Sequence, residues 1–107
     1  MTGLTLSIQS KTLSETEIRT IIESKNEILP ANVLNSGNRS NFTGEIEAYV
    51  VVLVGLTGNI ALNIVASALY DLIKNYAVKV KIKGKELKID EPKTLEEQIK
   101  DIENDKN

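Results

Sequence analysis

AYVVVLVGLTGNIALNIVASALY, Ala48 to Tyr70, contains no charged residue. As a single helix, 23 residues reach across the hydrocarbon of a bilayer. As two shorter elements, the same residues are the core of a small globular domain. Three features favour the second reading. Gly55-Leu56-Thr57-Gly58-Asn59 looks like a break between two elements. Asn59 and Asn63 would lie one turn apart near the bilayer centre, where an unpaired amide is costly. The flanks, Glu45 and Glu47 before and Asp71 and Lys74 after, carry no basic or Trp belt. A single span over residues 48–70 is kept as an alternative.

The two halves read differently. Ala48 to Val54 is rich in β-branched residues and suits a buried strand. Ile46, Tyr49, Val50, Leu53, Val54 and Leu56 also fit helical spacing, and so short an apolar run does not decide between the two. The second half is clearer. Ile60, Ala61, Ile64, Val65, Ala68, Leu69, Leu72 and Ile73 form one helical stripe, with Asn59, Asn63 and Ser67 off it. This is an amphipathic helix over residues 59–76.

Working outward, Leu4, Leu6 and Ile8 alternate with Thr5, Ser7 and Gln9, the period of a half-buried strand. Ser14 and Glu17 have the spacing of a capping box, with Ile18, Ile21 and Ile22 on the inner face of the helix they start. LPANVLNSGNRSNFTG, residues 29–44, is rich in Pro, Asn, Ser and Gly and reads as a long surface loop, with room for a brief strand at Val33–Leu34. In AVKVKIKGKELKID, Val78, Val80 and Ile82 alternate with Lys79, Lys81 and Lys83. A hairpin follows, with Gly84-Lys85 as its two-residue turn and Leu87 and Ile89 on the return strand. Thr94 and Glu97 repeat the capping-box spacing, and Leu95, Ile99 and Ile102 give a short final helix. Residues 103–107 are expected to fray.

The fold class expected is α+β in a single domain of 107 residues. Its small sheet contains the N-terminal strand and the C-terminal β-hairpin, packed against the central amphipathic helix with short helices flanking it. The chain has no Cys and no His, which removes thiol nucleophiles, thiolate metal sites and the commonest general base. No cofactor or metal is expected. The amino terminus lacks a basic n-region, so a cytoplasmic location is expected. The triplets at Asn38 and Asn41 are read as chance. Gly55-x-x-Gly58 lacks the Lys and the further glycines of a phosphate loop. Acidic pairs such as Glu15/Glu17 and Glu96/Glu97 sit in first helical turns, where they favour the helix dipole. No catalytic set emerges, and the chain is read as not an enzyme.

The charged feature to weigh is the hairpin. Residues 74–88 hold six lysines against Glu86, a local charge of +5. Lys79, Lys81, Lys83, Lys85 and Lys88 are the candidate partner-binding residues. Residues 89–107 carry a local −4, so the final helix is expected near the lysines, partly neutralising them. Lysines on a hairpin are also ordinary solvated guards against edge pairing. A nucleic-acid or phosphate ligand on this hairpin is a further alternative, disfavoured because the hairpin has neither Arg nor an aromatic ring.

The order LTLSIQS strand, acidic helix, GEIEA, NIALNIVASALYDLIK helix and VKVKIKGKELKID hairpin resembles the effector-associated constant component domains of bacterial conflict systems. The resemblance covers most of the chain through pattern alone. It implies a non-enzymatic protein–protein interaction module, an adaptor or regulatory component beside an effector or enzyme, or self-association. It also tips residues 44–56 toward helix, against their β propensity.

Overall fold

The computed structural model describes residues 3–27, 29–40, 43–56 and 62–104. The elements run β1 (Gly3–Ser10), α1 (Glu15–Ser24), β2 (Ala31–Ser40), β3 (Ile46–Gly55), α2 (Leu62–Tyr76), β4 (Lys79–Ile82), β5 (Lys85–Glu86) and α3 (Leu95–Glu103). The five strands form one sheet in the order β2-β3-β1-β4-β5, and every pairing is antiparallel. α1 connects β1 to β2 with β3 lying between them, and α2 connects β3 to β4 with β1 lying between them. This is the interleaved split β-α-β connectivity of a ferredoxin-like sheet, extended by β5 and α3. The α+β reading therefore holds, with the first strand and the final hairpin in one sheet.

The period-two pattern sorts the sheet into two faces. Leu4, Leu6 and Ile8 of β1, Val50, Val52 and Val54 of β3, and Val80 and Ile82 of β4 are all buried. They meet Ile18 and Ile22 of α1, Val65, Leu69 and Leu72 of α2, and Ile99 and Ile102 of α3 in one cluster. Both expected capping boxes form, Ser14 with Glu17 and Thr94 with Glu97. Each satisfies backbone N–H groups that a helix start leaves open. On α2, Asn63 and Ser67 are exposed, as their place off the stripe requires.

Three local expectations are overturned. Residues 46–55 are strand, not helix. β3 lies between β1 and β2 and pairs with both, so its β-branched residues fill a pleated surface where a helix would strand them. Residues 31–40, read as loop, are a ten-residue strand. β2 lies at the edge with mostly exposed side chains, so it has no apolar alternation to betray it; its pairing with β3 comes through the backbone. The hairpin turn is Lys83-Gly84, not Gly84-Lys85. Ile82 pairs with Lys85, and both turn residues have positive φ, 52° and 80°. That is a mirror-image turn whose twist matches the flanking strands.

The uncharged stretch thus divides into β3 and α2. No helix among the described residues is long and apolar enough to cross a membrane, so the single span is not built. Of the break expected at Gly55–Asn59, residues 57–59 lie outside the described residues, as do the stripe positions Ile60 and Ala61. So do Asn41 and residues 105–107 of the tail expected to fray; Glu103 closes α3 and Asn104 caps it.

Candidate functional site

The sheet face opposite the core carries the other half of each alternation. β1 places Thr5, Ser7 and Gln9 there, β3 places Tyr49, Val51 and Leu53, and β4 places Lys79 and Lys81. Antiparallel partners share a face, so β2 adds Gly37 opposite Tyr49 and Arg39 opposite Glu47. A shallow trough runs along β1 over this surface. At one end a depression of about 550 Å³ is lined by Gln9, Lys11, Arg39, Ser40, Glu47, Lys79 and Lys81. It continues into one of about 330 Å³ whose lining includes Thr5, Ser7, Arg39, Val51, Lys81 and Lys83.

The charges along the trough are unequal in their partners. Glu47, 7% exposed, is the one carboxylate in that lining. Its Oε1 lies 3.9 Å from Lys79 Nζ. Lys11 Nζ donates to Glu45 Oε1 at 3.3 Å. Lys83 reaches off the trough to Glu103 of α3, at 3.2 Å. Arg39 and Lys81 have no carboxylate within 4.0 Å among the described residues. The Arg39 guanidinium instead stands 5.6 Å from the centroid of the Tyr49 ring, a cation–π distance. The ring also lies over Gly37, where an added Cβ would come within 3.0 Å of the Tyr49 hydroxyl. A glycine on β2 lets the ring settle flat, and the ring in turn seats Arg39.

The five lysines expected to act together do not share one surface. Lys79 and Lys81 lie on the trough. Lys83 leaves the alternation at the turn and pairs with α3, the partial neutralisation expected of the final helix. Lys85 pairs in register with Ile82, so it belongs to the core side of the sheet at its edge. Lys88 lies beyond β5; its side chain borders a groove of about 600 Å³ between α2 and residues 88–97, together with Asn63, Ser67, Tyr70 and Lys93. Its backbone is held by Gln98, whose Oε1 accepts from Lys88 N–H at 2.9 Å while its Nε2 donates to the carbonyls of Lys88 and Lys93 at 2.7 and 2.9 Å.

Reading the sequence missed Arg39 and Tyr49. Arg39 sits in the segment taken for a loop, and Tyr49 in the segment taken for core. The signal available was the single Arg among Asn, Ser and Gly of residues 31–40, but nothing local ties it to Lys81, three strands away by way of β3 and β1. Among the described residues no group of three or more acidic side chains is placed to hold a metal ion. No family model, curated protein or solved structure matches this chain.

Proposed function

We propose that the protein is an interaction module whose helix-free sheet face docks an acidic segment of a partner protein. The observation that carries this reading is the pair of cations, Arg39 seated on Tyr49 and Lys81, that face one trough without carboxylate partners. Around them, Val51 and the stems of the lysines supply apolar surface, and Thr5 and Ser7 supply hydrogen-bonding groups. Anionic side chains of a partner would complete the ion pairs and so set orientation and specificity. The helical layer has the opposite sign: α1 carries three acids against Arg19, and α3 four against Lys100. A partner's acidic surface is therefore steered to one side of the molecule.

The resemblance to effector-associated domains gives this module a place, as an adaptor or regulatory component beside an effector in the bacterial cytosol. Ferredoxin-like sheets that take RNA do so with exposed aromatic rings on the central strands. Here β1 offers Thr5, Ser7 and Gln9, and the one ring of β3 on this face is occupied by Gly37 and Arg39, which favours protein over nucleic acid.

The test is retention of a partner on the tagged chain from a bacterial lysate made without detergent, repeated with charge reversals. Arg39→Glu with Lys81→Glu is expected to weaken retention about tenfold or more, ~1.4 kcal/mol. Lys88→Glu with Lys93→Glu, on the far groove, leaves it unchanged. Equal loss in both pairs, or in neither, overturns the reading. Retention of nucleic acid, falling steeply with salt, replaces it with the phosphate-binding alternative.

A further inference from the structure

We propose that the exposed edge of β2 pairs with β2 of a second copy, joining two sheets into one. β2 is ten residues long and has a single charged residue, Arg39, and neither Lys nor Pro. An edge of that kind presents unpaired N–H and C=O groups along its length, and natural edges are normally blunted by short strands, lysines or prolines. The other edge of this sheet is blunted so: β5 is only Lys85–Glu86. β2 has one such device, a bulge between Val33 and Asn35, and the Ser36 N–H is held by the Asn35 side-chain Oδ1 at 2.9 Å, a local bond that self-pairing would have to displace. Beyond it, Asn35 to Ser40 pairs in unbroken register with β3, leaving a regular six-residue edge.

The second copy is the occupant that the page favours. In antiparallel pairing, residues opposite one another share a face, so a two-fold axis must pass through a residue and not between two. An axis through Gly37 sets Asn35 opposite Arg39 and Ser36 opposite Asn38, and the one charge of the strand meets a neutral amide. On the core side, Glu15 and Arg19 of α1 both contact Ser36. Self-pairing brings this cluster toward its own copy, and a cluster holding both signs is complementary to itself. Val33 and Leu34, 37% and 56% exposed, would be partly covered. Repulsion between the two basic troughs is largely screened. β1 of one copy lies five strand spacings from β1 of the other, about 24 Å, and the two Arg39, on β2 itself, stand four residues apart along the paired edge, roughly 14 Å, against a Debye length of about 8 Å at physiological salt. A strand pair buries less than a standard interface, so the association is expected to be weak and concentration-dependent.

Sedimentation velocity over a wide range of concentration tests this. The wild-type chain is expected to pass from monomer to dimer, and Asn35→Lys with Asn38→Lys to remain monomeric at every concentration, with a melting curve that shows it folded. Lys79→Glu with Lys81→Glu leaves the dimer intact, which separates this inference from the trough. Should the double lysine variant not fold, amide exchange on the wild type decides: outward N–H groups of residues 35–40 gain protection as concentration rises. A wild-type monomer throughout overturns the proposal. So does a dimer that survives the edge variant, or protection of β2 that appears only on adding a different protein.

Discussion

β2 and β5 close the same sheet at opposite sides, and each is tied to a helix by a side-chain clamp of different character. Just beyond β5 the clamp is neutral and partly buried: Gln98 of α3 accepts from the Lys88 N–H and donates to the carbonyls of Lys88 and Lys93. At β2 it is charged and open to water: Ser36 donates to Glu15 and accepts from Arg19, both on α1. The neutral clamp follows a two-residue strand that has little pairing of its own. The charged one sits on a ten-residue strand already paired along its length. The edge with the weaker ladder has the stronger side-chain support, and the long edge is left available.

Breaking the two clamps should show that difference. Gln98→Ala leaves one N–H and two carbonyls of the exposed residues 88 and 93 without their partner, and is expected to cost about 1–2 kcal/mol in urea unfolding, with little dependence on salt. Ser36→Ala removes a half-buried hydroxyl among exposed charges. Its expected cost is about 0.5–1 kcal/mol, and in about 1 M salt it should shrink as the charges are screened. Equal costs, or a salt-sensitive Gln98 variant, would show that the two clamps do the same job.

The smallest effect belongs to the pair beside the neutral clamp. Lys93 donates to Asp101 at 2.5 Å, and this bond, with the charge of Asp101, raises the Lys93 pKa above its ordinary 10.5. The unfolded chain releases this proton first, so the stabilisation is whole below pH 10.5 and fades as pH rises through the folded value. Both side chains are well exposed, so solvent screens the pair. Melting curves of wild type and Lys93→Met should lie close together at neutral pH and converge fully in strong alkali. A gap that widens with alkali would mean that Lys93 acts through something other than Asp101.

Much of the framework was legible in the sequence because it depends on short-range chemistry. Ser14/Glu17 and Thr94/Glu97 set two helix starts through bonds spanning three residues. The alternation at Leu4, Leu6 and Ile8 marked a strand with one wet face, and the stripe through Val65, Leu69 and Leu72 marked a helix. β2 was illegible because an edge strand is recognised by its partner's backbone, and its Asn, Ser and Gly carry the composition of a loop. β3 was ambiguous because its outer-face residues Tyr49, Val51 and Leu53 are apolar as well, so it reads as a plain apolar run, whereas β1, also paired on both sides, alternates with Thr5, Ser7 and Gln9.

The sequence by itself determined that the chain folds as α+β, that its uncharged stretch supplies the core, and that it lacks Cys and His. Only the tertiary structure decided which charges share a face. Lys79 and Lys81 are kept on one face by the pleat, Lys83 and Lys85 are carried off it by a positive-φ turn, and Arg39 arrives from 40 residues away through pairing of β2, β3, β1 and β4. Periodicity is a property of neighbours along the chain. A surface is assembled by hydrogen bonds between strands that the chain order does not place side by side.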